Sequence, residues 1–317
     1  MNSQQQNTIP RGRFLRSAAI LATGFMLAPR ELFAQTSPVI IIKNAAAKDP
    51  VLVKALRGNI HLLEGSGGNI AVFHGADGKL MVDGGIAVSQ KKITDALSGI
   101  SKDPLKYLVN THWHFDHADG NEWLHKAGAT IIAHENTHKN LSKTITVTDW
   151  NYTFRAAPKE ALPATVFKKE HTIKFNGSEI QLNYYPAAHT DSDISVYFSD
   201  ADVLHVGDTW WNNHYPFIDH SSGGTIDGMI TASNHNLATT TDKTVIIPGH
   251  GPVGNKAELQ AFRDMLVSVK ENISKLKKAG RSLSETIAAK PTANFDAKFG
   301  KFIVDPAFFT RLVFVDV

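Results

Sequence analysis

The chain has no cysteine among its 317 residues. That absence removes disulfides, thiolate metal sites and a cysteine nucleophile together. Any metal must then be held by histidine nitrogens and carboxylate oxygens, and fifteen histidines are available. Net charge is also nearly absent. The formal value is +3, and residues 1–34 account for all of it, with Arg11, Arg13, Arg16 and Arg30 set against Glu31. Everything after residue 34 is formally neutral. No basic excess is left to follow a phosphate backbone, so nucleic acid is not the expected partner. Past residue 28 no apolar run is long enough to span a bilayer. There is no Gly-x-Ser-x-Gly elbow, so a serine nucleophile has no sequence support. Hydrophobic residues at 42% and charged residues at 20% describe an ordinary soluble globular chain.

The first 34 residues read as an export signal peptide. Arg11, Arg13 and Arg16 precede an apolar run, Ala18 to Ala28, that is too short for a membrane span, and small residues place a cleavage point after Ala34. The expected location is periplasmic or secreted, with no stable membrane insertion once the signal is removed. Arg11-Gly12-Arg13-Phe14-Leu15 resembles a twin-arginine signal with Gly12 in place of the second arginine, so the Tat and Sec routes both stay open.

Residues 35–50 read as a linker, 51–280 as the main domain, and 281–317 as a C-terminal extension packed on that domain. Strands are expected at 60–63, 69–73 and 79–82, with a hairpin turn at Ala76-Asp77-Gly78. A helix follows over 89–100, then a buried strand over 105–110. The second half repeats this grammar, with strands at 172–175, 179–184, 195–198, 203–206 and 245–247. Leu259, Phe262, Leu266, Val269, Ile273 and Leu276 recur at three- and four-residue spacing and predict a helix over 256–278. A helix near 284–290 and the apolar run Leu312–Val315 close the chain. Two blocks of strands with flanking helices predict an α+β fold, a four-layer αββα sandwich.

The chemistry sits in Thr111-His112-Trp113-His114-Phe115-Asp116-His117, on the loop after a buried strand. Three histidines and one aspartate within six positions supply the donors that zinc accepts. Packed in an interior, they would stay unsatisfied without a cation. Three further donors also lie just past buried strands: His189, Asp208 and His250. Each alone is weak; together with the loop they point to one metal centre.

This set, His112-x-His114-x-Asp116-His117 with His189, Asp208 and His250, resembles the ligand set of the metallo-β-lactamase superfamily over roughly residues 55–280. The resemblance implies two zinc ions per chain. His112, His114 and His189 would hold the first, Asp116, His117 and His250 the second, and Asp208 would bridge them. Asp83, at the end of Met81-Val82-Asp83-Gly84-Gly85, matches the acid that braces the histidine loop. The implied reaction is hydrolysis by a metal-bridged hydroxide, with Asp116 as the catalytic carboxylate that orients it and passes on its proton. Zinc is favoured over iron because diiron relatives resemble His-x-Glu-x-Asp-His, and His114 replaces that glutamate.

The zinc β-lactamases themselves usually carry cysteine or serine at the position of Asp208. Aspartate there resembles lactonases, thioester hydrolases and phosphodiesterases. Export and a neutral mature chain then leave a small-molecule substrate: an amide, lactone or ester. The rivals are an iron-dependent oxidase or dioxygenase on the same fold, and a metal-binding protein without turnover. Trp210, Trp211, Tyr215 and His214 are the expected substrate-pocket residues, since they neighbour ligands in the chain. His220 is a further candidate for substrate contact, and His205 reads as a hydrogen-bonded core histidine. Nothing in the sequence sets an oligomeric state.

Overall fold

The computed structural model describes residues 37–317, so the export-signal reading of 1–34 lies outside the described residues. The chain enters through a helix, α1 (Pro38–Lys48), and the linker reading of 35–50 is corrected over these residues. Ser37 caps the helix by accepting from the Val39 N–H, and Pro38 sits in the first turn, where its missing N–H breaks no helical bond. Val39 and Ala46 are buried and Ile42 is half-buried, so one face of α1 has a surface to cover. The Ala46 carbonyl accepts from Ser89 Oγ at 3.1 Å, which ties α1 to the domain.

Seven strands form the first sheet: β1 (Leu52–Ala55), β2 (Ile60–Glu64), β3 (Ile70–Gly75), β4 (Gly78–Val82), β5 (Leu105–Val109), β6 (Thr130–His134) and β9 (Thr165–Phe167), in that spatial order. The first four are antiparallel neighbours, and β4, β5, β6 and β9 run parallel. Parallel neighbours need crossovers. These are α2 (Gln90–Ile100) between β4 and β5, then α3 (Phe115–Ala118) and α4 (Asn121–Lys126) between β5 and β6. The last crossover carries α5 (Glu135–Leu141) and a hairpin of β7 (Ile145–Val147) and β8 (Tyr152–Phe154). The second sheet holds β10 (Glu170–Phe175), β11 (Ser178–Tyr184), β12 (Ile194–Phe198), β13 (Val203–His205) and β14 (Val245–Ile247), also in order. β13 and β14 are parallel, joined through α6 (Ile226–Thr239).

Alternation along the strands sorts side chains into three cores. Leu80, Val82 and Val109 face Ile180, Val196 and Phe198 between the sheets. Met81 and Leu108 point the other way, against Ile93, Leu97 and Leu124 of α2 and α4. Leu204 and Ile246 turn outward from the second sheet toward Met229 of α6 and Phe262 and Leu266 of α7 (Lys256–Lys278). Helix, sheet, sheet, helix is the αββα sandwich.

α7 has clear causes. Asn255 and Glu258 form a reciprocal capping box, Leu259, Phe262, Leu266, Val269 and Ile273 are buried on one face, and Lys275, Lys277 and Lys278 end it where the helix dipole favours cations. Three shorter helices follow: α8 (Leu283–Ala288), α9 (Ala293–Phe299) and α10 (Pro306–Asp316). Phe309, Leu312 and Val313 of α10 join the same core as α7. Among the described residues no helix is long and apolar enough to cross a membrane.

The parallel strands end on one edge of the sandwich. The main chain joins the two sheets there: Ile194 N–H donates to Thr111 O at 2.9 Å, and Asn69 N–H to Gly249 O at 2.8 Å. Asp83 follows β4, the His112–His117 loop follows β5, Asp208 follows β13 and His250 follows β14.

Candidate metal centre

The loop after β5 is fixed before any histidine is placed. Asp83 Oδ1 accepts from the Thr111 N–H at 2.7 Å, and its Oδ2 from Thr111 Oγ1 at 2.8 Å. Asp83 itself stands at φ +67°, a left-handed conformation that aspartate tolerates better than most residues but that still costs about 1 kcal/mol. These bonds hold it there.

The structure brings all seven expected ligand residues together. His112, His114, His189 and Asp208 form one group that could hold a metal ion, and Asp116, His117 and His250 form the other. Asp208 stands between them. Its Oδ2 lies 3.3 Å from both His189 Nε2 and His250 Nε2 and 3.8 Å from His112 Nε2. Asp116 Oδ2 lies 3.3 Å from His250 Nε2 and 3.8 Å from His117 Nε2. Gly249 makes this approach possible, since a Cβ there would meet Asp208 Oδ1 at 1.8 Å.

Four histidines spend one ring nitrogen on an outward partner and turn the other inward. His112 Nδ1 pairs with Thr111 Oγ1 at 3.1 Å, and His117 Nδ1 with Asp83 Oδ2 at 2.7 Å. His189 Nδ1 pairs with Phe217 O at 2.7 Å, and His114 Nε2 with Asp219 Oδ2 at 3.0 Å. Such partners fix ring orientation and tautomer, the usual support of metal-binding histidines. The inward atoms are left wanting. His112 Nε2, His117 Nε2 and Asp208 Oδ1 are buried without a hydrogen-bond partner. His117 Nε2 and Asp208 Oδ1 are 3.1 Å apart, an ion-pair distance whose angle makes no hydrogen bond. Buried polar atoms are rarely orphaned, and a cation between them is the simplest way to satisfy them. The donor set fits metal ions on this observation.

Without metal, protons take the cations' place. Burial disfavours the charged form of His117, but Asp208, Asp83 and Asp116 outweigh it and hold its pKa well above the usual value. For His250 burial is likewise outweighed by Asp208 and Asp116, and the pKa rises to about 9. His189 goes the other way, lowered to about 4 by burial. Burial also dominates at His112, which is held well below its ordinary range. For Asp208, burial is outweighed by His250, His117 and His189, and its carboxyl stays well below the usual carboxylate range.

A cavity of about 260 Å³ opens on Asp116 and His250. His214 lines it, stacked on Phe302 with centroids 4.4 Å apart. Trp211 lies over His250 at 4.3 Å and lines a smaller cleft beside it. The other two expected pocket residues are corrected. Trp210 is fully buried with its ring against Gly254, and Tyr215 is fully buried with its hydroxyl donating to Asp296 at 2.8 Å. Both fill the core beneath the site, because the chain alternates direction as it leaves the Asp208 loop. His220 pairs with Asp316 at 3.2 Å and lines neither cavity. His205 is hydrogen-bonded in the core, to Asn69 O at 3.1 Å.

Asp219 is the residue that sequence reasoning missed as a contributor. Its Oδ2 takes His114 Nε2 and the Ser222 hydroxyl, and its Oδ1 takes the Ser221 N–H. The signal was its place four residues after Tyr215, which the sequence already set near the ligands. Asp219→Ala is expected to weaken metal binding at the His112 group by about 10–100-fold, as loss of a ligand-orienting partner typically does. Competition with a chromophoric chelator measures it, and unchanged affinity removes Asp219 from the site.

Residues 63–250 match the sequence family described as the Metallo-beta-lactamase superfamily. Over 170 residues the chain is 27% identical to a protein named probable metallo-hydrolase YqgX from Bacillus subtilis (strain 168), covering 51% of this chain and 75% of that one. Among solved structures, the sec-alkylsulfatase Pisa1 from Pseudomonas sp. superposes with a TM-score of 0.63 at 16% identity, over 83% of this chain. The chain spans about half the length of that enzyme, 50%. A metallo-beta-lactamase from Pontibacter korlensis superposes with a TM-score of 0.55 at 17% identity, over 68% of this chain and 98% of that one. At these identities the structural likenesses speak to the fold alone.

Proposed function

The chain belongs to the metallo-beta-lactamase superfamily of metal-dependent hydrolases, and from that premise we propose that it is a binuclear zinc hydrolase acting on a small amide, lactone or ester. One observation carries the reading: Asp208 lies within 3.3 Å of histidines from both donor groups, and His112 Nε2, His117 Nε2 and Asp208 Oδ1 are buried and unpaired between them. His112, His114 and His189 would hold one zinc, Asp116, His117 and His250 the other, with Asp208 common to both. Nitrogen and oxygen donors without thiolate suit zinc. Held by these residues, zinc would supply Lewis acidity and lower the pKa of water toward neutrality.

The chain's own residues do the rest. Asp83, Thr111, Asp219 and Phe217 O hold the rings in one orientation. Asp116 faces the cavity as a carboxylate, since burial raises its pKa but His117 and His250 outweigh it and leave it lowered. It can therefore accept a proton from water at the cavity floor and return it to a leaving group. Trp211 and His214 border the space where substrate enters. The basic, apolar segment before residue 35 supports an exported protein, and N-terminal sequencing of the mature chain would test this by finding Gln35 first.

Metal counting on natively purified protein, with initial rates on a chromogenic cephalosporin and an acyl-homoserine lactone, tests the function. About two zinc per chain with turnover of either supports it. Tightly held iron with oxygen consumption would overturn it. The raised His117 and His250 add a signature. Their protons are bound in the metal-free protein at pH 7 and must leave when zinc enters. Zinc affinity should therefore fall as pH drops from about 9. Proton release on adding zinc to metal-free protein at pH 7, read in buffers of different ionisation enthalpy, checks this; a titration with no net release speaks against it.

A further inference from the structure

The wall of the 260 Å³ cavity carries carboxylates and no lysine or arginine. Asp49 Oδ2 accepts from Ser66 Oγ at 2.5 Å. Glu64 is paired with Lys54, whose own side chain is mostly exposed outside the cavity. Lys43 of α1 is engaged with Asp119 at 3.3 Å, and Lys92 donates to the carbonyls of Ala46 and Asp49. His214 offers no charge either, because burial lowers its pKa to about 4. Beside the polar Ser66, Asn69 and the glycines of their loop, the wall has an apolar part: Ile42 from α1, Leu52 from β1, and Phe302 and Ile303 from the segment before α10. These four come from outside the ligand loops, and they line the same cavity as Asp116 and His250.

Recognition of a carboxylate, sulfate or phosphate normally recruits arginine, lysine or a cluster of N–H donors. An anion set against Asp49 and Glu64 meets no lysine or arginine in the wall to receive it, and such like-charge contacts set specificity. An apolar chain meets no such cost here and gains by leaving water. The volume also falls below the roughly 300–1,000 Å³ of pockets that enclose drug-sized ligands, so the occupant is short. Resting on the hydrolase reading above, we propose that this cavity takes the short, uncharged alkyl or acyl chain of the substrate, and that the protein discriminates against substrates with an anionic group remote from the reacting bond. Leu52 and Phe302 are the specificity residues on this account.

The test uses zinc-loaded protein of counted metal content and three hydroxamates, whose metal-gripping end makes binding readable without turnover. They share a six-carbon chain and end in methyl, carboxylate or ammonium. Calorimetry should find the methyl-ended ligand tighter than the carboxylate-ended one by at least about tenfold. Leu52→Lys, on an exposed position of an edge strand, should shrink or reverse that ratio. Equal affinities, preference for the carboxylate, or no binding by any of the three would overturn the proposal, and tightest binding of the ammonium ligand would replace it with a cationic substrate. Failure of the hydrolase reading shows separately, as zinc-loaded protein that binds the methyl-ended ligand yet turns over no lactam, lactone or ester.

Discussion

Asp208→Ala is expected to leave both metal positions largely empty and to cut kcat/KM by at least about a thousandfold, roughly 4 kcal/mol of transition-state stabilisation. Asp208 is the one carboxylate whose oxygens face both donor groups, at 3.3 Å from His189 and His250 and 3.1 Å from His117. Without it, Asp116 would be the one carboxylate left among the seven donors, and uncompensated buried charge is costly. Asp208→Asn separates charge from shape: it keeps the side chain's volume against Gly249 but removes the anion. A metal ion that binds the folded chain stabilises it by an amount set by concentration and affinity. The parent protein should therefore melt higher loaded than chelated, and in either variant that gap should close. In metal-free protein Asp208 has its pKa depressed by His250, His117 and His189 against the effect of burial. A depressed carboxylate stabilises the fold above its unfolded pKa and loses that contribution as pH falls through the folded value. The Asn variant should accordingly be less stable than the parent at neutral pH, with the difference shrinking toward acid. Retention of two zinc per chain by Asp208→Ala would remove Asp208 from its place between the metals.

The layered fold was legible because two blocks of short apolar strands, each flanked by helical stretches, mark two sheets with helices outside them. The helix over 256–278 was legible because its apolar stripe keeps three- and four-residue spacing from Leu259 to Leu276. The donor cluster was legible for a different reason: His112, His114, Asp116 and His117 are too polar to follow a buried strand without a task. Other elements gave no such agreement. α1 begins at Ser-Pro, a helix start that also reads as a loop. α6 buries Ser233 and Asn236, and Asn236 accepts from Tyr185 OH at 2.5 Å, so polar residues interrupt the stripe that would have marked its core face. Strands of three residues, such as β7, β8 and β9, are too short to show a period. The pocket was the least legible. Nearness in the chain suggested Trp210 and Tyr215, yet packing drew both inward, and the cavity wall came from Ile42 and from Phe302 and Ile303 at the chain's two ends. Ligand loops are local in sequence; a substrate wall is assembled by tertiary packing.

Asp116→Asn is expected to keep the parent's metal content and lose kcat by about 10²–10⁴-fold, the usual worth of a positioned general base. Asp116 and His250 are the two of the seven donors that line the larger cavity, and Asp116 Oδ2 is 3.3 Å from His250 Nε2. Asparagine there still presents an oxygen toward His250 and His117 with nearly the same volume. What it loses is the ability to take a proton. Six other donors remain, so metal content should change little. KM should stay within a few-fold, because a group that acts on the proton in the transition state contributes little to ground-state binding. The parent's rate should fall on the acid side as its base protonates, and that limb should be absent from the variant's pH profile. A purely structural role would instead lower metal content and activity together, with the shape of the profile kept. Metal counting, kcat and KM separately, and the profile from acid to neutral pH distinguish the two; a variant as active as the parent would return Asp116 to the role of ligand alone.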